Sequence, residues 1–506
     1  MNKEQDLQNE KGVLWIHRPA TGDLVGRIEE TDQLDTAFQA DEVAVLGITA
    51  SGGTGKSAII YEWQKLLREN NGPSPFIYDW VFPEGDSSSN DFFINISNHF
   101  GLTESIPVSD IDKANWLFEQ YKNRNMVLIL DSIEGLQNRD QEPKKEFRDG
   151  LIKQFLTLVA SQTTGQARRL VIVASREPLT DLEGMPAYRP MPVDKLTKIE
   201  GELLLRQLGV KGTEENLQSA SEDFGGHALT LVLWGSLIAK NPVNNITQHH
   251  ELTLFENDRS KESEESEYWK HAIKLLNYYE QHRAIKLLDY YKHHVAQQDE
   301  IILLQMMSLF HRAMSQAERD HLLRCANFAK GVAGKSDEEW EVCHGQLESL
   351  GLLNSRGETT RKHWDCHPLI REHFRDKFRQ DAPEHWRQAH RVLFDYFASL
   401  PTNELPKTRE ELIPLYRAVH HGCLAHAYHE ALELYRSRII QGDDKSYGAN
   451  ELGAISEDTS ALRMFYIPET TELLDDVRNS LRIDDQAWLQ ARTAFCMAQL
   501  GTSKKP

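Results

Sequence analysis

Residues Val43 to Ile60, VAVLGITASGGTGKSAII, join three kinds of sequence that each dictate a different backbone. Val43 to Ile48 is a short apolar run, the pattern of a strand buried on both faces of a parallel sheet. Ser51-Gly52-Gly53-Thr54-Gly55-Lys56-Ser57 is a glycine-rich turn, and Ala58 to Leu67 has helical spacing. Strand, glycine loop, Lys-Ser and helix in that order make a phosphate cradle. Glycines let backbone N–H groups close on anionic phosphates with no Cβ in the way. Gly52, Gly53, Thr54, Gly55, Lys56, Ser57 and Ala58 are therefore the expected nucleotide contacts. Lys56 would reach the β and γ phosphates, Ser57 would ligate Mg2+, and the positive end of the helix would lie beneath the β phosphate. One position departs from the usual G-x-x-x-x-G-K-[ST] loop, because Ala50 stands where the first glycine would be. Gly-Lys-Ser alone also occurs in ordinary surface turns; the flanking strand and helix favour the cradle.

A chain of 506 residues has room for about three or four domains at roughly 150 residues each. The net charge of -20 argues against a general nucleic-acid or anionic-membrane binder. Five scattered cysteines without a Cys-x-x-Cys pair read as a reducing compartment. Met1 to Gly12 is polar, and no run approaches the ~20 apolar residues of a membrane span. A cytoplasmic protein is expected, with neither membrane nor nucleic acid as partner.

Around the loop the pattern alternates between buried strand and amphipathic helix, as an α/β parallel sheet requires. Residues 1–20 are expected as a tail and 21–190 as the nucleotide domain. Strands are expected at Phe76 to Phe82, Met126 to Leu130 and Leu170 to Ala174, with helices containing Phe92 to Phe100, beginning at Ser109-Asp110, and spanning Phe147 to Ala160. Beyond 190 helical spacing dominates: a small helical domain at 191–255, a charged linker and helical insertion at 256–297, another small domain at 298–380, and helix pairs at 381–506. The insertion repeats itself, Ala272 to Tyr279 recurring as Ala284 to Tyr291. At about 100° per residue the twelve-residue shift turns the copy by roughly 120°, so the two apolar faces do not coincide. Gly351-Leu352-Leu353 and Thr359-Thr360 suggest a short hairpin ahead of Cys366-His367-Pro368. The last helix pairs have nearly the spacing of a helical-hairpin repeat such as TPR, without a second clean copy.

A phosphate loop needs an acidic partner for its metal, at the end of a neighbouring strand. Asp131, closing Leu128-Ile129-Leu130, has that position, and Glu134 is placed to orient or deprotonate an attacking water. Arg176 ends the next strand at the same carboxyl edge, where it would sense the γ phosphate. A capping aspartate, a solvated glutamate and a surface arginine are the plainer readings of the same three residues. His420, His421, His426 and His429 cluster, but without supporting cysteines or carboxylates they read as a wetted helix face rather than a metal site.

Taken together, these motifs resemble those of the signal-transduction ATPases with numerous domains, the group that includes the NB-ARC and NACHT switches; the likeness runs over about residues 24 to 375. Val25-Gly26-Arg27 resembles the adenine-side motif, and Leu130-Asp131-Ser132-Ile133-Glu134 is closer to the NACHT form of the acidic motif. Ser175-Arg176 resembles the sensor of the fourth strand, and Gly226-His227-Ala228-Leu229 the Gly-x-Pro-Leu motif with Ala228 in place of proline. Cys366-His367-Pro368 resembles the Met-His-Asp motif of a winged-helix domain, with Pro368 in place of the aspartate.

The resemblance implies an ATP/ADP site with Mg2+, in which Val25 and Arg27 lie on the base side and His367 touches the β phosphate of ADP. It implies a winged-helix-like domain at 298–380, a helical sensor or scaffold beyond it, and a switch that is closed with ADP and open with ATP. Open subunits of such proteins assemble as homo-oligomers and act through an effector. The first 20 residues are too short to be one, so a separate effector protein or an activating ligand is the expected partner. A role in bacterial antiviral defence follows from the resemblance alone. Two rivals stay open: a transcriptional regulator of similar architecture, and a P-loop ATPase with rapid turnover.

Overall fold

The computed structural model describes residues 24–69, 75–82, 89–101, 107, 109–137, 146–162, 169–240, 288, 291–292, 296–356, 362–401, 406, 409–440, 455–467 and 470–499. The expected tail, the segment 256–267, Thr359-Thr360, and the twelve-residue repeat apart from Leu288 and Tyr291 lie outside the described residues.

Five parallel strands form the first layer, β1 (Val45–Thr49), β2 (Phe76–Val81), β3 (Met126–Asp131), β4 (Leu170–Ser175) and β5 (Tyr188–Pro192), in the order β2-β3-β4-β1-β5. Every residue of β3 and β4 is buried, because helices cover both faces of the sheet. Alternate side chains of one strand go to opposite cores, as the pleat demands. Val127, Ile129, Ile172 and Ala174 pack with Leu34 and Phe38 of α1 (Ile28–Gln39) and Ile59 and Trp63 of α2 (Lys56–Glu69). Leu128, Leu130, Val171 and Val173 pack against α3 (Asn90–His99), α4 (Asp110–Lys122) and α5 (Gly150–Ala160).

Three sequence expectations need correction here. The fifth strand was not expected, and a boundary at 190 falls inside it. Its two prolines argue against a central strand, but β5 is an edge strand with β1 as its partner, where a missing N–H is tolerated. The strand carrying Asp131 is not the neighbour of β1; β4 lies between them. Helix α5 starts at Gly150 rather than Phe147, because Asp149 caps it and Phe147 instead bridges to Gln137.

Next come α6 (Lys198–Gln207), α7 (Glu214–Asp223) and α8 (Ala228–Lys240). The polar α7 gave little sequence signal: Leu217, Ala220 and Ser221 are its buried residues, and Thr213 caps it. Then α9 (Gln298–Ser308), β6 (Met314–Ser315), α10 (Gln316–Cys325), α11 (Asp337–Ser349), β7 (Asn354–Arg356) and β8 (His363–Asp365) make a winged helix, with a small antiparallel sheet ordered β6-β8-β7. Its hairpin begins later than expected. Gly351 is left-handed (φ 69°) and closes α11, while Leu352 and Leu353 are core residues, so β7 starts at Asn354.

The remaining helices are α12 (Pro368–Asp381), α13 (Pro383–Ser399), α14 (Arg409–Leu424), α15 (Tyr428–Leu434), α16 (Ile455–Arg463), α17 (Asp475–Ser480) and α18 (Ile483–Gln499). One apolar core runs from Leu196 to Cys496, so the winged helix and the carboxyl-terminal helices share an interior. The expected wetted histidine face is half wrong. His426 and His429 are exposed, but His421 is buried, its Nδ1 2.8 Å from His390 Nδ1 and its ring stacked on Phe397. His420 packs edge-on to His311. Helix α14 is covered by α13 on one side and by the Phe310-His311 corner on another, which turns that face inward. Among the described residues no group of three His, Cys, Asp or Glu is arranged to hold a metal, and no helix is long and apolar enough to cross a membrane.

Candidate functional site

The loop after β1 runs directly into α2, whose first residue is Lys56. Gly53 (φ 81°) and Gly55 (φ 109°) are left-handed, a conformation that a side chain would strain. Ala50 is not, which is why the missing glycine there does no harm. It continues the ladder instead, its N–H donating to the Ser175 carbonyl at 3.3 Å. A cradle for anions must keep its own carbonyl dipoles occupied. Each carbonyl from Ala50 to Thr54 has a donor. Lys56 Nζ donates to Ala50 at 2.7 Å and to Ser51 at 3.1 Å. His227 Nε2 lies 2.8 Å from the Gly52 carbonyl, the Leu229 N–H donates to Gly53 at 3.0 Å, and Arg27 Nη2 donates to Thr54 at 3.2 Å.

Burial pushes the Lys56 pKa down, opposed by the carboxylates of Glu134 and Asp131. Ser57 Oγ donates to Asp131 Oδ2 at 2.6 Å, and Asp131 Oδ1 accepts from the Ser132 N–H at 2.7 Å. Two hard oxygen donors converging beside the loop are the set that suits Mg2+. Ser132 is left-handed (φ 59°) and turns the chain into a short 3-10 segment, Ile133–Leu136, which brings Glu134 back toward the pocket. Glu134 Oε1 pairs with Arg176 Nε at 2.8 Å, and its buried Oε2 has no hydrogen-bond partner among the described residues.

Val25 and Arg27 line the same pocket. Arg27 is itself left-handed (φ 63°), its N–H donates to Glu200 Oε1 at 3.2 Å, and its guanidinium pairs with Glu30 at 2.6 Å. Glu200 also closes the capping box of α6 with Thr197. A Cβ on Gly26 would fall 2.4 Å from Glu200 Oε1, so this corner admits glycine alone. Leu24, Val25, Leu196, Leu204, Ala228, Leu229 and Val232 give the pocket an apolar lining.

No protein-family model and no curated protein matches the chain. Among solved structures it is similar to a signal transduction ATPase with numerous domains (STAND) that carries a tetratricopeptide repeat sensor, from Pyrococcus horikoshii. The identity is 14%, the match covers 97% of this chain and 60% of that one, and the TM-score is 0.54. The two chains share a fold, with a five-stranded parallel sheet followed here by helical domains. The chain spans 60% of the length of that protein. Drosophila ORC bound to DNA (13% identity, 73% of this chain and 91% of that one, TM-score 0.32) and a Walker-type ATPase of Pyrococcus abyssi (13%, 70% and 96%, 0.31) are too distant to carry an argument.

In this fold the winged helix supplies a third wall, with Gly351, Asn354, His367 and Pro368 lining the same pocket as Lys56, Asp131, Glu134 and Arg176. His367 is the N-cap of α12, its Nδ1 accepting from the Leu369 N–H at 3.2 Å, and Pro368 occupies the first helical turn. Proline suits that position because its fixed φ and missing N–H fit the first turn of a helix. Arg371 anchors the helix by donating to the carbonyls of Phe310 (2.9 Å) and Arg312 (2.8 Å) and pairing with Asp365. All the residues singled out in the sequence, Val25, Arg27, Gly52 to Ala58, Asp131, Glu134, Arg176 and His367, meet at one pocket. Asn354, Leu196, Leu204 and Val232 were missed, because apolar helix positions and a hairpin residue carry no local signal. His227 was seen as the variable residue of a motif; its buried contact with the loop was not legible.

Proposed function

We propose that the protein is a nucleotide-controlled signalling switch that holds ADP in a closed form and exchanges it for ATP to assemble or to recruit an effector. One observation carries this reading: a single pocket is walled by the phosphate loop, by α6 and α8, and by the winged helix. A ligand in contact with all three favours the arrangement that keeps them together, and can shift the equilibrium only by its difference in affinity between closed and open forms. The apolar lining suits a purine and the loop suits its phosphates. Bound Mg2+, held by Ser57 and Asp131, would neutralise phosphate charge. Glu134, with an unpartnered oxygen, orients the attacking water, and Arg176 exchanges Glu134 for the γ phosphate. Hydrolysis is slow because that exchange comes first. A role in bacterial antiviral defence and assembly as a homo-oligomer complete the proposal.

Two features weigh against the rivals. The helix of the winged fold that would enter a DNA groove, α11, carries Asp337, Glu338, Glu339, Glu341 and Glu348, a charge that phosphates repel. A wall that must open at every cycle makes product release limiting, which favours turnover slower than the roughly 1–10³ per second typical of enzymes. The test is the nucleotide that copurifies with the chain. Wild-type protein is expected to carry ADP, and Lys56→Ala to carry none; ADP retained at wild-type level by the folded variant rejects the site.

A further inference from the structure

His227 is a polar side chain by which the helical region touches the phosphate loop. His227 immediately precedes α8, is 1% exposed, and has its Nε2 2.8 Å from the Gly52 carbonyl. A carbonyl only accepts, so Nε2 carries the proton. Nδ1 must then accept, and it has two donors to accept from, the Thr230 hydroxyl at 2.7 Å and the Thr230 N–H at 3.4 Å. Both sides of the ring thus require the same neutral tautomer. Burial lowers the imidazole pKa to about 4, with Lys195 and Lys56 adding to the effect, so the ring is neutral near pH 7.

The next residues continue the contact. Leu229 N–H donates to the Gly53 carbonyl at 3.0 Å, and a Cβ on Gly53 would stand 2.8 Å from His227 Cε1 and 2.9 Å from Leu229 Cβ. The middle of the loop therefore rests on the start of α8 with no room for a side chain between them. On its other side Gly52 faces Leu369 of α12 and Arg176, at 3.8 Å and 3.5 Å from the place its Cβ would take.

We infer that His227 is a positioning residue: it fixes the Gly52-Gly53 peptide in the shape that receives a polyphosphate and makes that shape depend on where α8 lies. This deepens the proposed switch and rests on it. Without the imidazole the Gly52 carbonyl is a buried acceptor with no side-chain donor, free to rotate toward the anion it should face away from. A glutamine, whose Nε2 can reach the same carbonyl, restores the donor; an alanine cannot.

The test compares wild type, His227→Ala and His227→Gln for ADP affinity by calorimetry, with the melting temperature of each nucleotide-free protein measured alongside. Loss of one buried donor predicts a lower melting temperature and ADP binding weaker by about 10- to 100-fold in His227→Ala, and a largely recovered affinity in His227→Gln. A folded His227→Ala protein that binds ADP within about twofold of wild type overturns the inference. So does a folded His227→Gln protein that binds ADP about tenfold or more weakly than wild type, and that comparison with wild type still stands if the alanine variant fails to fold. Wild-type protein that binds no ADP would overturn the switch itself, a different failure from unequal variants.

Discussion

The two walls that face each other across the pocket are built differently. On the sheet side every charged group is backed by a strand or helix end and has a fixed counterpart: Lys56 on two carbonyls, Ser57 on Asp131, Arg176 on Glu134. On the winged-helix side Gly351, Asn354, His367 and Pro368 line the pocket from a three-stranded sheet of two- and three-residue strands and the start of one helix. Parallel strands buried on both faces cannot shift without breaking two cores, whereas the winged helix, whose core is continuous with the carboxyl-terminal helices and separate from the two sheet cores, can swing together with them. In the proposed switch, chemistry belongs to the first wall and duration to the second.

That division fails or sharpens according to which property each wall's variants change. The largest expected effect is on the sheet wall. Glu134→Gln removes the carboxylate proposed to orient water and is expected to lower ATP hydrolysis by about 100-fold or more, while leaving ADP retention near wild type. A drop in ADP retention as large as the drop in hydrolysis would show that Glu134 holds the pocket together instead. Asp131→Asn comes next. It keeps the shape of the Ser57 contact but weakens the oxygen set for the cation, so the gain in ATP affinity on adding Mg2+ is expected to fall about tenfold. Titrations with and without Mg2+ measure this directly; an undiminished Mg2+ effect would remove Asp131 from the metal.

How far each wall could be read from sequence follows from the same difference. The sheet wall was legible because its signals are local: a strand, glycines with positive φ, Lys56 at a helix start, and Asp131 and Arg176 at the ends of apolar runs. Even there the place of β4 between β1 and β3 was not, because strand order is a property of the sheet and not of any segment. Strand β5 escaped because Pro190 and Pro192 are acceptable only at an edge, and being an edge is likewise non-local. The closing wall was legible only through resemblance. Nothing in the spacing of Cys366-His367-Pro368 says that Arg371 ties its helix to Phe310 and Arg312. His421 was misread for a related reason: a histidine on a polar-looking helix is solvated or buried according to what packs on it.

The smallest effect, and the most informative for the comparison, concerns His367. Its ring does two things at once, because Nδ1 caps α12 while the residue lines the pocket. His367→Ala removes both, and the lost cap alone costs about 0.5–2 kcal/mol. A faster loss of ADP in that variant would therefore not distinguish a nucleotide contact from a frayed helix. His367→Asn separates them, since asparagine is a good N-cap but shorter than the imidazole. If the histidine holds ADP from the winged-helix side, both variants release ADP about threefold faster or more, assemble more readily, and hydrolyse ATP normally once loaded. If it only caps α12, the alanine variant melts lower and the asparagine variant behaves as wild type in release and assembly. The second result would leave duration to the apolar contacts of the closing wall.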